Sequence, residues 1–470
     1  MPVAARAARR TSPRAVLRSY FAISGVYTLS ASLIWGVNTL FLLDAGLDIF
    51  GVFIAGAAFT AGNVLFEIPT GVVADTVGRR ASFLWSVSML CVGTLAYVAI
   101  PYAAWSPLIP FTIASVFLGL GFSFYSGAVE AWLVDALHAS GFDGDLDTVF
   151  SRGAMVSGTA MLIGTVGGGL LGQLDLSIPF VARSALLALA FVLALLGMRD
   201  LGFRARPLRL ETLRRELASV ASAGLRYGWS ERSLRLLMLA SAVQSGFMIW
   251  GFYAWQPYFQ QLLETDAVWF AGVVAAGLAA STMVGNALVD HFARLCGKRT
   301  TLLVWAASLQ TLAAIAVGLS PNFPTALISL LVVTATTGVI GPVRQAYIHK
   351  TVAGEQRATV VSFDSMVASI GGVGGQAGLG WLAQVRDYST GYIAGGAATV
   401  LAVPLYLGIR MLKEDADQIV GKAGKTSPCA AQGLASAGAV DDKAYGAEPR
   451  LREGVMNQPA RTGPVPLPRS

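Results

Sequence analysis

The chain has 470 residues, of which 54% are hydrophobic and only 13% are charged, and its mean hydropathy is +0.61. A charged fraction about half that of soluble domains excludes a water-soluble globular enzyme and a disordered chain, and leaves a polytopic membrane protein. The net charge of +7 requires no nucleic-acid partner, because the cations sit in connections between apolar runs, where membrane orientation accounts for them.

Residues 1–16 carry Arg6, Arg9, Arg10 and Arg14 and no acid. The apolar run from Tyr20 to Leu43 is too long for the core of a secretory signal and has no small-residue cleavage site behind it. The segment therefore reads as a cytoplasmic tail followed by a first spanning helix. At about 20 apolar residues per crossing, spans are expected near residues 17–43, 49–74, 81–101, 107–136, 152–173 and 179–198. A second set is expected near 235–261, 267–290, 300–319, 324–347, 358–383 and 389–411. The expected fold is all-α and polytopic: twelve transmembrane helices in two pseudo-symmetric six-helix bundles, 17–198 and 235–412, joined by a basic cytoplasmic linker at 199–234. Residues 413–470, rich in Ala, Gly, Ser and Pro, read as a disordered cytoplasmic tail.

Between the second and third spans lies Gly71-Val-Val-Ala-Asp75-Thr-Val-Gly78-Arg79-Arg80. An acid, a turn glycine and two arginines this close together cannot lie in hydrocarbon, so they mark a tight corner at a water interface. Gly71 lets helices approach, Gly78 supplies the freedom of a sharp reversal, and Asp75 accepts hydrogen bonds from a helix N-terminus or an arginine. The spacing Gly-x-x-x-Asp-x-x-Gly-Arg-Arg resembles the signature loop of the major facilitator superfamily of secondary transporters, and the likeness of layout covers roughly residues 16 to 412. The resemblance implies alternating access, and for Asp75 and Arg79 it implies a part in conformational control.

Orientation follows from counting cations in alternate loops. One set holds Arg79, Arg80, the basic linker, Arg294, Lys298, Arg299, Lys350 and Arg357. The opposite set holds Asp44, Asp48, Asp175, Glu264 and Asp266, with Arg386 as its one clear cation. Both termini are thus expected in the cytoplasm, in a plasma (inner) membrane protein. The linker, with Arg204, Arg206, Arg209, Arg214, Arg215 and Arg226, reads either as an amphipathic helix on anionic lipid or as a solvated tether.

The halves resemble each other. Gly71 to Asp75 and Gly78-Arg79-Arg80 have weaker counterparts in Asn286 to Asp290 and Gly297-Lys298-Arg299. Further on, Glu130-Ala-Trp-Leu aligns with Gln345-Ala-Tyr-Ile, and Arg152 with its glycine run aligns with Arg357 and Gly371 to Gly375. An ordered series at one offset is a parallel repeat, and carriers built this way place substrate between the halves near the midplane.

Ionisable groups inside spans are the places to look for chemistry. Glu67, in Phe66-Glu67-Ile68-Pro69, reads as a proton-titrating acid facing a wet cavity or as a structural acid between helices. Glu130 in the fourth span and Asp364 in the eleventh are the other proton-coupling candidates. Asp135 lies a turn or so beyond Glu130 and can pair with Arg79 or Arg152 as a cytoplasmic latch, which completes a gating set of Gly71, Asp75, Gly78, Arg79, Arg80, Asp135 and Arg152. Arg344 and Asp364 stand at matching depths and can pair with each other, and Arg183, near the outer end of the sixth span, reads as a snorkelling side chain. The seventh span is dense in aromatics; Gln244, Phe247 and Trp250, with Asn38 and Arg344, are the cavity candidates, core packing being the simpler alternative for the rings.

The glycines of the fifth span, Gly158, Gly164, Gly167, Gly168 and Gly169, are similar to those of drug-exporting members, but the Gly-Pro pair of that pattern is absent. The early arginine common in the fourth helix of proton-coupled members is also missing, as is a sugar-carrier signature. Cys91, Cys296 and Cys429 have no metal-ligand or disulfide spacing, so neither metal nor cofactor is expected. The phosphate-loop pattern fails, Gly297-Lys298 being preceded by Phe292 and Gly424-Lys425 by Ile419 at the required glycine position, and no hydrolase motif appears. The reading is therefore not an enzyme but a monomeric secondary carrier, expected to export hydrophobic or amphipathic compounds as a proton-coupled antiporter. An uptake carrier for a small metabolite and a non-transporting receptor on the same fold are the alternatives.

Overall fold

The computed structural model describes residues 12–102, 106–125, 127–203, 222, 224–265, 267–352 and 356–419. Residues 1–11, most of the arginine-rich linker with its expected amphipathic helix, Asp266 and the tail from 420 onward, including Cys429, lie outside the described residues. The chain up to Ile419 forms one compact unit.

All twelve expected spans are helical. In the first half they are α1 (Pro13–Ser32) with α2 (Asn38–Asp44), α3 (Ile49–Val77), α4 (Arg79–Ala99), α5 (Leu108–Tyr125) with α6 (Ala128–Ala139), α7 (Leu146–Leu174) and α8 (Ile178–Gly197). The second half runs through α9 (Arg232–Leu263), α10 (Trp269–Cys296), α11 (Arg299–Gly318), α12 (Phe323–Thr351), α13 (Arg357–Val385) and α14 (Tyr388–Thr399) with α15 (Ala402–Met411). Ten of these stretches are long and apolar enough to cross a membrane. The first and eleventh fall short of that measure, because Arg14 and Arg18 start α1, and because α13 carries Asp364, Gln376 and six glycines in place of aliphatic side chains.

Helix ends are set by local chemistry. The Asp48 carboxylate accepts the Gly51 N–H at 2.7 Å and caps α3, and Asn322 Oδ1 accepts the Thr325 N–H at 3.1 Å and caps α12, whose first turn holds Pro324. At the other end of α3, Gly78 has φ +128°, a conformation that L side chains avoid, which lets α4 start one residue after α3 stops.

Without a hydrophobic drive between helices in lipid, small residues bring the backbones together. Gly164 and Gly168 of α7 lie against the Leu29 and Leu33 carbonyls of the first span, and Gly371 and Gly375 of α13 lie in the same way against Ala242 and Gly246 of α9. Gly119 of α5 fits the Phe59–Asn63 backbone of α3, as Gly338 of α12 fits Thr282 and Asn286 of α10. The repeat seen in the sequence is thus also a repeat of contacts. Aromatic cores fill each half, around Phe83, Phe111 and Phe180 in the first and around Trp250, Tyr258 and Tyr392 in the second. The halves meet where α3 packs on α13 and α7 on α10.

Candidate functional site

Among the described residues, every hydrogen bond between the halves lies in the part of the molecule nearer Asp48, away from the Asp75 corner. Gln173 Oε1 accepts the Val268 N–H at 2.6 Å, Gln384 Oε1 accepts the Phe50 N–H at 3.2 Å, and Thr60 Oγ1 donates to Gln376 Oε1 at 3.2 Å. Gln256 of α9 enters the break between α1 and α2: its Oε1 accepts the Thr39 N–H at 3.1 Å, and its Nε2 donates to the Trp35 carbonyl at 2.8 Å. In an unbroken helix those two backbone groups would bond each other, so the inserted amide both opens the helix and satisfies what it opens. Gly169 and Gly272 pack backbone to backbone beside this seal.

Toward the Asp75 corner the same helix stripes part. On α7 the stripe that meets α10 at Thr165 and Gly169 continues to Leu162, Gly158 and Met155; Met155 is 70% exposed, and a side chain at Gly158 would meet open space. The expected role of Gly71, close helix approach, is not what this conformation shows. Gly71 is exposed with nothing within reach of a Cβ. Among the described residues, the hydrogen bonds between the halves thus gather at one end, and the stripes that carry them are bare toward the other.

Beneath the seal lie two adjacent cavities, of about 280 Å³ and about 250 Å³, which share Trp35 and Phe252 as walls. The rings of these two residues meet edge to face with centroids 6.5 Å apart. The larger cavity belongs mostly to the first half and is lined by Tyr27, Asn38, Phe59, Tyr97, Arg183 and Tyr253, among others. The smaller is nearly all apolar, with Phe247, Met248 and Trp255 in its wall.

Of the cavity candidates, Asn38 and Phe247 line these spaces. Trp250 does not. It is fully buried in the second-half core against Phe53, Phe247 and Tyr392, because the cavity face of α9 runs through 247, 248, 251, 252 and 255, and Trp250 is turned away from it. Gln244 and Arg344 border a third, smaller space of about 160 Å³. There Gln244 is engaged, Nε2 donating to Gln310 at 3.0 Å and Oε1 accepting from Tyr406 at 2.8 Å.

The expected Arg344–Asp364 pair is present, Nη1 to Oδ1 at 2.8 Å, with Asp364 buried. Arg183 departs from its expectation. Instead of snorkelling it is 9% exposed and turned into the larger cavity, because it sits in the second turn of α8 on the face that carries Phe180, Ser184 and Leu187 into the core. Glu67 is half-buried, and its carboxylate has no hydrogen-bond or ion-pair partner among the described residues. Glu130, at the start of α6, is exposed and close enough to Tyr20 and Tyr125 to act on them electrostatically.

At the corner, Arg79 binds Asp75 at 2.6 Å, one helical turn away. In this conformation Asp135 pairs with neither Arg79 nor Arg152 among the described residues; Arg79 is held by its own neighbour, and Arg152 is exposed. Asp200, just past α8, completes the corner. Its Oδ1 accepts the Arg80 N–H at 3.0 Å, and its Oδ2 lies 2.7 Å from where a Cβ on Gly78 would stand. The Arg80 guanidinium donates to the Leu195 carbonyl at 2.7 Å. The second half repeats the device: Asp417, past α15, accepts the Thr300 N–H at 2.7 Å, and Arg299 donates to the Ala416 carbonyl at 2.9 Å. Asp200 and Asp417 were invisible to motif reading because each lies just past its half's last span, far in sequence from the corner it serves.

The family model described as Major Facilitator Superfamily matches residues 20–296 and again residues 264–443. A curated relative, the uncharacterized MFS-type transporter YxaM of Bacillus subtilis (strain 168), is 23% identical over 177 residues, which covers 38% of this chain and 41% of that protein's length. Among solved structures the fold is similar to the nucleoside transporter NupG, at TM-score 0.71 and 11% identity over 84% of this chain and 99% of that one. It is also similar to a POT family transporter in complex with 5-aminolevulinic acid, at TM-score 0.66 and 13% identity over 84% and 95% of the two chains. With its repeat, its signature corner and a family match across both halves, this chain belongs to the Major Facilitator Superfamily.

Proposed function

We propose that the protein is a secondary carrier of the cytoplasmic membrane that exports small amphipathic organic compounds by alternating access, and that its described conformation faces the cytoplasm. The observation that carries this reading is the asymmetry of the cleft. Polar and backbone contacts between the halves are confined to the Asp48 end, with cavities of small-molecule size directly beneath them. The excess of Lys and Arg in its loops supports a cytoplasmic position for the open, arginine-rich end. The two helical halves serve as the rocking units, and both termini are then cytoplasmic.

Coupling to protons rests on Glu67. It is one turn from Gly71 on α3, half-buried, with its carboxylate unpartnered among the described residues. Such a carboxylate can take a proton from one side and give it to the other. Asp364 serves less well, since its side chain is already engaged by Arg344. Drug-driven proton flux in everted vesicles tests the reading. Amphipathic compounds are expected to dissipate the gradient with wild type and not with Glu67→Gln. Flux that survives in the variant returns Glu67 to a structural role, and flux with no compound at all sinks proton-coupled export.

A further inference from the structure

The larger cavity contains a cation with no counter-charge among the described residues. Arg183 is nine-tenths buried, makes no hydrogen bond or ion pair with the described residues, and has its Nε orphaned. The ionisable groups that act on it electrostatically are Tyr27, Tyr97 and Cys91, and no carboxylate is among them. Tyrosine and cysteine are uncharged in their ordinary ranges at neutral pH. Taking a guanidinium out of water without a partner is costly, and a fold rarely keeps one unless it is used. The contrast with Arg344, which is 21% exposed and yet bound to Asp364, shows that this architecture can pair such a charge.

The surroundings indicate what completes the site. Around Arg183 the walls offer the Asn38 amide and the Tyr27 and Tyr253 rings and hydroxyls, with Phe59, Phe122 and Phe180 supplying flat apolar surface. The adjoining lobe beyond Trp35 and Phe252 is apolar. The whole is a fork of fixed donors at one side of a greasy, aromatic chamber. A guanidinium presents parallel N–H groups that match a carboxylate or sulfonate in plane and spacing.

We propose that the transported molecules are organic anions: an aromatic or aliphatic body seated against Trp35 and Phe252, with a carboxylate or sulfonate bound by Arg183. The proposal rests on the carrier reading above and sharpens it, since it replaces amphipathic compounds in general with amphipathic acids. It also accounts for an arginine that stability alone would remove. With the anion absent, Arg183 destabilises the fold; with the anion bound, the charge is neutralised and the site closes.

The test is equilibrium binding to the purified full-length protein in nanodiscs, read by quenching of tryptophan fluorescence, with Trp35 in the cavity wall as reporter. The probes are 2-naphthoate, 2-naphthalenesulfonate, 2-naphthamide and 2-naphthylmethylammonium. Saturable binding of the two anions is expected, with the amide weaker and the cation weakest. Arg183→Gln is expected to weaken the anions by about ten- to a hundredfold and to leave the amide within about twofold. Arg183→Lys should recover part of the loss. The melting temperature supplies the second readout: Arg183→Gln is expected to melt at or above the wild-type temperature, since a buried bare charge has been removed.

Equal binding of anion and amide, no binding by either anion, or an Arg183→Gln protein that is unfolded or melts well below wild type would each overturn the assignment, the last by making the arginine structural. Because binding needs no transport, the two readings can fail separately. Anions that bind through Arg183 but show no counterflow in proteoliposomes sink the carrier, and counterflow of amide and acid alike sinks the anion site.

Discussion

Arg344 and Arg183 are both arginines set inside the helical layer, one in each half of a chain whose halves otherwise repeat each other's contacts. Arg344 has Asp364 at 2.8 Å, and the neighbouring Gln244, Gln310 and Tyr406 bond one another, so the polar groups of that region are consumed by the protein. Arg183 has aromatic rings, an amide and a cavity. The difference teaches that burial alone does not mark a functional charge. What separates the two is whether the protein itself supplies the counter-ion.

The comparison breaks most visibly at the paired site. Asp364→Asn leaves Arg344 without its partner and is expected to cost about 3–5 kcal/mol of stability, measured by denaturant unfolding. Arg344→Gln combined with Asp364→Asn should recover most of that loss. If the double variant is as unstable as the single, pairing is not what distinguishes the two arginines.

The converse experiment supplies Arg183 with a counter-ion. Asn38→Asp adds a carboxylate to the same cavity wall, and aromatic-acid binding is expected to fall by the worth of a charge-assisted hydrogen bond, about 1.5–3 kcal/mol, while acidification enough to protonate the new group restores it. Undiminished acid binding at neutral pH would show that Asn38 and Arg183 do not serve one ligand.

Smaller effects compare the two corners. Gly78→Ala meets both a φ of +128° and the Asp200 carboxylate, and is expected to cost about 1–3 kcal/mol. Gly297→Ala, at φ +68° with open space around it, should cost about 1 kcal/mol. Differential scanning of the two variants ranks them, and the reverse order would mean that Asp200 is not the tighter clip.

Least costly of all is Gly158→Leu, which fills open space and should change stability by under about 0.5 kcal/mol. Its cost should appear instead in turnover: the parted faces of α7 and α10 could no longer close, so exchange should slow at least tenfold while acid binding in the open conformation persists. Unchanged exchange would argue against closure at this level.

Much of this was open to a reader of the residues alone. The spans announce themselves through apolar length, the corner through an acid, a glycine and two arginines that lipid cannot accept, and the Arg344–Asp364 pair through matching depth. What stayed hidden depended on angular position. Trp250 and Phe247 stand three residues apart in one aromatic run, yet one fills the core and the other the cavity wall, and in a helix aromatic on most sides no periodicity separates them. Arg183 misled for the same reason, since depth suggested snorkelling and only the rotation of α8 turns it inward. The break before α2 has no proline to signal it; its cause is Gln256, more than two hundred residues away. Gly71 was read for contact, and nothing stands within reach of it here.

Gln256 also sets the terms on which the sealed end can open. It sits between Thr39 N–H and the Trp35 carbonyl, two groups one helical turn apart that are natural partners. When the halves swing apart and the amide withdraws, those groups can join each other, and the first span anneals into a continuous rod while Gln256 finds water. The gate then works like a splice: two bonds across the cleft give way to one along the helix, with water taking up the freed amide. A closure of this kind, with no ion pair among its contacts in the described residues, should cycle with little sensitivity to salt on the outer side.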